Sequence, residues 1–393
     1  MIISLHKFRK KQLTKYIKCK KSTSKAEIKR RFNIHITNIT RIINELLVDT
    51  IIKEDGVGSS TGGRKPILYT LNPDFGITIS IIIDLNTLEI SINDFLSNII
   101  DREKVSLDFE KENIERKTVE SIESILKRNS LKKSKLRGIG VGGSRGFLNK
   151  KEGSIRFKMI KKNIEIIPFL KRNYPSLPIT FEDRVYMEAL GEKNLGYGQK
   201  VKNFLYVHWG ETISSVICIN GEIYKHREGY ISELGHIVIN EEGPLCYCGN
   251  RGCLEQMASA LYLKREVKEA LEKGVVTHIK EINTENQQNI LEAISEAAEN
   301  RDRFAIGLLE QFSKNFGIGL SIMINLLHPE LVIIGGNLPK KQDFCFKTLK
   351  HYIRMFSLRE IEKNVRYQCS CNAEEMSLRG ISESVVEEVL DNF

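Results

Sequence analysis

Apolar residues in the first part of the chain recur at helical spacing. The stretch "QLTKYIK" shows this spacing, and "SKAEIKRRFNI" adds Ser24 and Glu27, the residue pair of a helix-capping box. Asn33 is placed to form a tight turn. In the next stretch, "HITNITRIINELL", four apolar residues share one helical face: Ile39, Ile42, Ile43 and Leu46. The pattern therefore predicts three helices in succession.

The polar face of the third predicted helix and the hairpin after it carry groups that suit DNA. The outward positions are Thr37, Asn38, Thr40, Arg41 and Asn44, whose side chains match base edges and phosphates. Two strand-like runs, "IIKE" and "PILYTL", then flank a Gly/Ser-rich tip with Arg64 and Lys65. This order predicts a winged helix-turn-helix over residues 1–74, with the third helix in the major groove and Arg64 at the minor groove or a phosphate.

The rest of the chain, residues 75–393, has mixed α/β patterning. Strands are predicted at "GITISIIIDL", "EISIND", "VKNFLYVHWG" and "PELVIIGGN", and "SSVICINGEIY" contains the Asn-Gly pair of a hairpin turn. "RGIGVGG" predicts a strand that runs into a glycine turn. Helices are predicted at "YMEALGEKNL", "MASALYLKREVKEALEKG", "RFAIGLLEQFSKNFGIGLSIMINLL" and "GISESVVEEVLDNF".

Charge separates the two parts. The chain has 393 residues and a net charge of +10, and residues 1–74 account for all of it, with sixteen Lys or Arg against six Asp or Glu. A basic head on a neutral body favours a polyanionic partner, double-stranded DNA. A solvated basic tail would not show helical periodicity. A small helical domain that docks on another protein stays open as the alternative.

No apolar run reaches the roughly 18 residues that a membrane-spanning helix needs. The first residues, "MIISLHKFRKKQ", place apolar residues before charges, the reverse of a secretory signal. We therefore expect a cytoplasmic protein with no membrane partner. Cysteines in that compartment are usually thiols, metal ligands or catalytic groups.

Three cysteines and a histidine lie close together in the segment "ELGHIVINEEGPLCYCGNRGCLE". The candidate ligands are His236, Cys246, Cys248 and Cys253, and one imidazole with three thiolates is a donor set of structural zinc sites. Glycines 249 and 252 are placed to fold the backbone around an ion. The C-x-C spacing disfavours a disulfide between its two cysteines and is not the C-x-x-C of redox sites. Four protein ligands leave no position open on the metal, so a structural Zn²⁺ is predicted; unrelated buried thiols are the alternative.

The same residues resemble the signature of ROK proteins (repressor, open reading frame, kinase), whose pattern is GExGH…CxCGxxGCxE. The segment around "LPITFEDRVYMEALGE" resembles the part of ROK kinases that holds the catalytic Asp, and "LHPELVIIGGNL" resembles their late nucleotide-side strand. The resemblance covers nearly the whole chain. It implies a two-lobed actin-like body of the ribonuclease H-like sugar-kinase type. The lobes would span residues 75–190 and 191–393, with the final helix a candidate to return to the first lobe, and the oligomer would be a homodimer or homotetramer.

The resemblance also implies a sugar site. Its residues would be Glu233, His236 and Glu255, and the catalytic Asp of the kinases falls on Asp183. Glu182 stands where the kinases have a sugar-binding Asn. Arg145, in the "GGSRGF" loop, is a further candidate that would attract an anionic ligand. A structural or surface polar role is the alternative for Glu233 and Glu255.

The phosphate loops depart from the kinase pattern. The first, D-x-G-x-T in the kinases, is "DLNT" here, and the second, usually G-T-G, is "WGETIS" with Glu211. Arg184 directly follows Asp183 and is placed to pair with Glu182 or Asp183 and so to block its use as a base. These changes argue against kinase activity and favour a sugar-sensing repressor of carbohydrate-utilisation genes. A sugar or N-acetylated aminosugar kinase that kept a DNA-binding head, and a regulator that responds to a protein partner, are the alternatives.

Overall fold

The computed structural model describes residues 2–59, 65–84, 86–108, 111–143, 148–157, 162–225, 232–279, 290–336, 343–370 and 372–392. The helices are α1 (Ile2–Lys20), α2 (Lys25–Phe32), α3 (Ile36–Val48), α4 (Ile114–Arg128), α5 (Ile166–Asn173), α6 (Arg184–Leu195), α7 (Glu255–Ala258), α8 (Ala260–Glu272), α9 (Ile290–Glu299), α10 (Arg303–Leu327), α11 (Asp343–Phe356), α12 (Arg359–Glu362) and α13 (Ala373–Asp391). Within these ranges, no helix is long and apolar enough to cross a membrane.

The strands are β1 (Thr23–Ser24), β2 (Ile52–Val57), β3 (Ile67–Leu71), β4 (Ile77–Asp84), β5 (Thr87–Asp94), β6 (Ile99–Ser106), β7 (Leu136–Gly143), β8 (Leu148–Asn149), β9 (Ser154–Phe157), β10 (Lys162–Ile164), β11 (Ile179–Asp183), β12 (Phe204–Trp209), β13 (Ile213–Ile219), β14 (Glu222–Ile223), β15 (Leu331–Gly335) and β16 (Arg366–Cys369).

The first three helices and the hairpin occur in the order that the sequence predicts. The capping box at the start of α2 is present: Ser24 Oγ accepts the amide of Glu27 at 3.3 Å, and the Glu27 carboxylate accepts the amide of Ser24 at 2.9 Å. Asn33 ends α2 in the left-handed conformation, with φ 50°. Strands β1, β3 and β2 form an antiparallel sheet beside these helices.

Contacts divide the chain into two compact units, Met1–Asn194 with Met376–Phe393, and Leu195–Glu375. Each unit contains a five-stranded sheet, with order β11-β7-β4-β5-β6 in the first and β14-β13-β12-β15-β16 in the second. In both sheets the first three strands in sequence form an antiparallel meander. The fourth strand pairs in parallel with the first strand, and the fifth strand pairs in parallel with the fourth. The two sheets therefore repeat one topology within the chain.

Two segments of this body refine the sequence-based expectation. "RGIGVGG" is strand throughout, because β7 continues through Gly143, and residues 144–147, where a turn would follow, lie outside the described residues. "MASALYLKREVKEALEKG" is not one helix: Ser259 breaks it and caps α8 by accepting the amide of Tyr262 at 3.2 Å. The predicted Asn-Gly turn is confirmed, since Asn220 and Gly221 have φ of 54° and 81°.

The glycines of β7 form a packing surface for the last helix. Gly138, Gly140 and Gly142 alternate along the strand, so they share one face. A Cβ at any of them would overlap Ile381 or Val385 of α13. The strand needs glycine there because a helix lies against its backbone. Glycines that form a turn and glycines that form a packing surface look alike in sequence, so the sequence alone does not distinguish the two roles.

The same helix completes the core of the head. The hydrophobic cluster that contains Leu13, Ile17 and the buried face of α3 also includes four side chains of α13: Val385, Val386, Val389 and Leu390. Burying an aliphatic side chain of this size contributes about 1.5–3 kcal/mol. The first and last helices of the chain therefore stabilise each other.

A close crossing of α6 and α13 fixes the position of the last helix. A Cβ at Gly380 would overlap the main-chain oxygen of Met187, and a Cβ at Gly191 would overlap that of Met376. Main-chain atoms cannot give way as side chains do. We predict that Gly380→Ala lowers the free energy of unfolding by about 1–3 kcal/mol or more, measured by urea denaturation.

The matched control is Gly307→Ala in α10. No atom lies within 4 Å of a Cβ at this helical glycine, so alanine is expected to raise the free energy of unfolding by up to about 1 kcal/mol. Equal effects of the two substitutions would contradict the close crossing.

Candidate metal centre and the polar residues beside it

The segment from Leu234 to Cys253 brings one imidazole and three thiols together. His236 ends a single-turn 3-10 helix, Leu234–His236, and the chain then folds back through β-bridges between Val238 and Cys253 and between Leu245 and Arg251. The ligand atoms of His236, Cys246, Cys248 and Cys253 all lie within 4.8 Å of one another. The sequence-predicted ligand set therefore meets at one point.

The separations within this cluster fit a tetrahedral metal site. Cys248 Sγ lies 3.6 Å from Cys253 Sγ, and Cys246 Sγ lies 3.6 Å from His236 Nδ1. Ligands about 2.0–2.3 Å from a zinc ion at tetrahedral angles are about 3.5–3.8 Å apart. A disulfide would need about 2.05 Å, and the cysteines of the cluster are free. The donor set and its spacing are compatible with a structural zinc site.

Two glycines let the backbone close around the cluster. Gly252 has φ +66°, and a Cβ there would overlap the main-chain oxygen of Asn240. Gly249 has φ +97°, and its amide donates to the oxygen of Cys246 at 2.9 Å. Both positions adopt the left-handed region that favours glycine, as the sequence predicts.

Burial sets the protonation of the thiols. Cys253 is fully buried, and this burial raises its pKa to about 12. Cys248 is exposed, and the main-chain amide of Asn250 lowers its pKa. A thiol must lose its proton to bind a metal, so a bound cation would have to offset the burial of Cys253.

Two carboxylate side chains, those of Glu255 and Glu233, lie beside the cluster. Glu255, at the start of α7, is 4% exposed and accepts the amide of Ile213 at 2.9 Å. Burial raises its pKa, while hydrogen bonding from Ile213 and the charge of His236 act in the opposite direction. Glu233 directly precedes the 3-10 helix and is exposed. Gly235 lies against this group, because a Cβ there would overlap the oxygen of Ile213 and crowd Glu255.

The imidazole of His236 has two different partners. Its Nδ1 faces the thiols, and its Nε2 lies 2.9 Å from the hydroxyl of Tyr247. The two rings meet edge to face, with centroids 5.0 Å apart. Burial, followed by the charge of Glu255, raises the pKa of Tyr247 above its ordinary value. Sequence reasoning missed Tyr247, since the residue between two cysteines carries no spacing signal.

The residues predicted to resemble the kinase base lie in the other unit. Asp183 ends β11, is 4% exposed, and accepts the amide of Val185 at 2.8 Å at the start of α6. Glu182 pairs with Lys150 at 2.5 Å. Lys150 is a second residue that the sequence analysis did not single out.

Arg184 joins two acids of the same unit. Its Nη1 lies 2.8 Å from Asp84, the first residue of "DLNT", and its Nε lies 3.2 Å from the fully buried Glu188. These partners differ from Glu182 and Asp183, the acids that the sequence analysis named for Arg184. The guanidinium places a fixed positive charge on the loop where the kinase pattern has its first phosphate hairpin.

The second loop and the late strand have packing roles. Glu211 of "WGETIS" pairs with Lys264 at 3.4 Å, so its charge is compensated within the unit. A Cβ at Gly336, where φ is +96°, would overlap the main-chain oxygen of Trp209. The Gly335–Gly336 pair at the end of β15 is therefore explained by packing against β12.

The predicted DNA-binding residues occupy the outer face of α3. Thr37, Arg41 and Asn44 are exposed, and Asn38 and Thr40 are half-buried. Arg41 Nη2 lies 2.9 Å from His6 Nδ1 of α1. Lys65 is exposed and lies two residues before β3. Arg64 and Arg145 lie outside the described residues.

Comparison with known proteins places these features in one family. The ROK family model matches residues 78–385. The chain is 26% identical over 375 residues to the xylose repressor of Caldicellulosiruptor bescii, covering 94% of this chain and 93% of that protein. It is 30% identical over 244 residues to a glucokinase of Halalkalibacterium halodurans, covering 60% of this chain and 72% of the kinase.

Solved structures confirm the predicted fold class. A ROK family transcriptional regulator, a homologue of the Escherichia coli MLC protein, matches with a TM-score of 0.81 at 22% identity and covers 98% of each chain. A ROK hexokinase from Thermus thermophilus matches with a TM-score of 0.64 at 20% identity, covering 78% of this chain and 98% of the kinase. The first match extends over the head, and the second leaves about a fifth of this chain outside.

From the cysteine cluster we predict that the stability of the fold depends on a bound metal ion. Cys253→Ser removes a fully buried ligand, so we expect loss of bound zinc, measured by elemental analysis of the purified protein, and a lower unfolding midpoint. Cys19→Ser is the control, because Cys19 is exposed and lies outside the cluster. Full zinc content in Cys253→Ser would contradict the assignment of this ligand.

Proposed function

Since the chain belongs to the ROK family, we propose that it is a DNA-binding transcriptional repressor of carbohydrate-utilisation genes that senses a sugar. The observation that carries the proposal is the joining of two parts in one chain. Residues 1–74 hold all the excess positive charge on a helical head with a hairpin, and the second unit gathers Glu233, His236 and Glu255 beside the cysteine cluster. Similarity to a xylose repressor over 94% of the chain supports the combination.

The head supplies a surface for double-stranded operator DNA. The buried face of α3 fixes the helix, so its exposed Thr37, Arg41 and Asn44 are presented on a rigid support. Arg41 is held in place by His6, which also bonds Glu45 at 2.9 Å. Lys65 and Arg64 belong to the proposed wing. Two such heads in a homodimer or homotetramer would bind two half-sites.

The sugar site rests on donors and acceptors that the cluster holds in place. Carboxylates accept hydrogen bonds from sugar hydroxyls, and an imidazole bound to a metal through Nδ1 has a fixed Nε2 direction. Glu255 is oriented by the amide of Ile213. In this proposal a Zn²⁺ on His236 and the three cysteines is structural and does not touch the ligand. Roles for Asp183, Glu182 and Arg145 in ligand binding stay predictions from the resemblance.

The charge pattern of the first unit supports sensing without phosphorylation. Arg184 pairs with Asp84 and Glu188 and is only 14% exposed, so its charge is built into the fold. Asp84 would otherwise be placed near a polyphosphate and its divalent cation. Asn86 replaces the glycine of that loop, which removes a close backbone approach to phosphate.

DNA binding is tested at Arg41. Loss of one arginine contact to a base edge or phosphate costs about 1–3 kcal/mol, so Arg41→Ala is expected to weaken binding roughly 5- to 100-fold. The measurement is fluorescence anisotropy at fixed salt, with DNA from upstream of the protein's own gene. Arg116→Ala is the control, because Arg116 is also exposed and also pairs with a glutamate four residues later. Equal binding by both variants would contradict the proposed interface.

Sugar binding is tested at Glu255. Glu255→Gln keeps an oxygen that can accept the Ile213 amide but loses the charge, so we expect a folded protein that no longer binds sugar. Titration calorimetry with xylose, glucose and N-acetylglucosamine measures this. Glu269→Gln, at an exposed position of α8, is the control. An unfolded Glu255→Gln protein would show a structural role for the residue.

Measurements with the same sugars distinguish three functions of residues 75–393: a sugar sensor, a sugar kinase and a regulator that responds to a protein partner. The proposal predicts that a sugar binds, weakens DNA binding, and produces no ADP when ATP is added. Any such effector must bind the free protein and the DNA-bound protein with different affinities. Clear turnover would support the kinase, and a panel without any binding would favour a protein partner.

A further inference from the structure

Burial of the aromatic ring does not explain the orientation of the Tyr247 side chain. The residue lies between two proposed zinc ligands and is 76% exposed, yet its hydroxyl turns back to His236 Nε2 at 2.9 Å. Tyrosine at a surface usually covers its apolar ring and leaves the hydroxyl in water. Here the ring is in water and the hydroxyl is turned inward. The polar contact, and not apolar burial, therefore holds this side chain in place.

The hydroxyl of Tyr247 lies where the proposed sugar-binding groups converge. His236 Nε2 is its hydrogen-bond partner, and the carboxylates of Glu255 and Glu233 are close enough to act on the same group. A phenol hydroxyl and a sugar hydroxyl offer the same chemistry, one O–H donor with oxygen lone pairs. The tyrosine oxygen thus has the partners that a hydroxyl of the ligand would use.

We propose that Tyr247 is a tethered competitor of the effector: its hydroxyl occupies the position of one ligand hydroxyl and leaves when the sugar binds. The inference rests on the proposed function, because it deepens the assignment of the same site. It gives the effector a chemical requirement. The ligand must present a hydroxyl that bridges His236 Nε2 and the neighbouring carboxylate, since a group without an O–H cannot replace the bond that is broken.

The movement requires no change of the fold. Cys246 and Cys248, on the two sides of Tyr247, are proposed metal ligands that would hold the backbone there, and the exposed ring has solvent to turn into. Rotation about the side-chain bonds therefore suffices, and such rotations at exposed residues are fast. The sugar binds only when the contact between Tyr247 and His236 is broken. Its apparent affinity is therefore the intrinsic affinity multiplied by the fraction of protein in which this contact is open.

Removing the competing hydroxyl tests the proposal. Tyr247→Phe removes only the hydroxyl oxygen, so the sugar is expected to bind about 3- to 10-fold more tightly than to the unchanged protein. The measurement is titration calorimetry on the full chain with xylose, glucose and N-acetylglucosamine. Tyr224→Phe is the matched control, since Tyr224 is an exposed tyrosine of the same unit and is expected to leave the affinity unchanged. Zinc content verifies that the cluster is intact in both variants.

The outcomes separate this proposal from the one on which it rests. If a sugar binds the unchanged protein but binds Tyr247→Phe equally well, the hydroxyl does not compete. Weaker binding by Tyr247→Phe would make the hydroxyl a direct ligand contact, and either result overturns the inference while the sensor stands. If zinc is retained and no sugar binds either protein, the proposed sugar-sensing function fails, and the competitor fails with it.

Discussion

The packing of α13 on the glycine face of β7 is the constraint on which the first unit depends. Gly138, Gly140 and Gly142 leave no side chain between strand and helix, so Ile381 and Val385 contact the strand backbone. The helix then continues into the core of the head, where Val389 and Leu390 pack with residues of α1 and α3. One helix therefore belongs to two cores, and a change in its position would alter the packing of both.

A buried polar group specifies how this helix meets the head. Glu383 is 3% exposed and accepts from Lys18 at 2.9 Å, Ser97 at 2.9 Å and Asn194 at 2.8 Å. Burial lowers the pKa of Lys18, but the charges of Glu383 and Glu387 outweigh it and raise the pKa above its ordinary value. A buried ion pair adds little net stability, but breaking it is costly. The pair therefore joins α1 to α13 at one point, and loss of either partner would leave the other charge buried. Asn194 is also the last residue before the chain leaves this unit.

The sequence predicts what short-range pattern determines. The capping box of α2, the apolar face of α3, the Asn-Gly turn at Asn220 and the meeting of four metal ligands follow from spacing over a few residues. What depends on distant segments does not follow from local pattern, and the return of the final helix to the first lobe was expected only from the resemblance. The glycines of β7 resemble a turn signal in sequence, because the helix that packs on them lies about 240 residues later. The repeated sheet order and the contact of Tyr247 with His236 likewise depend on partners that no local pattern names.

The cysteine cluster and Arg184 together give the proposed sensor a property that a kinase lacks. A kinase consumes its sugar, so occupancy of its site depends on turnover as well as on concentration. In the proposed sensor, the pairing of Arg184 with Asp84 prevents phosphorylation, so the sugar would leave chemically unchanged and occupancy would follow its free concentration alone. The residues around His236 would then need only to hold their geometry, which the proposed structural metal would achieve without taking part in chemistry. On this proposal, the threshold of the response depends on what the sugar must displace at that imidazole, and the hydroxyl of Tyr247 is the group bonded to it.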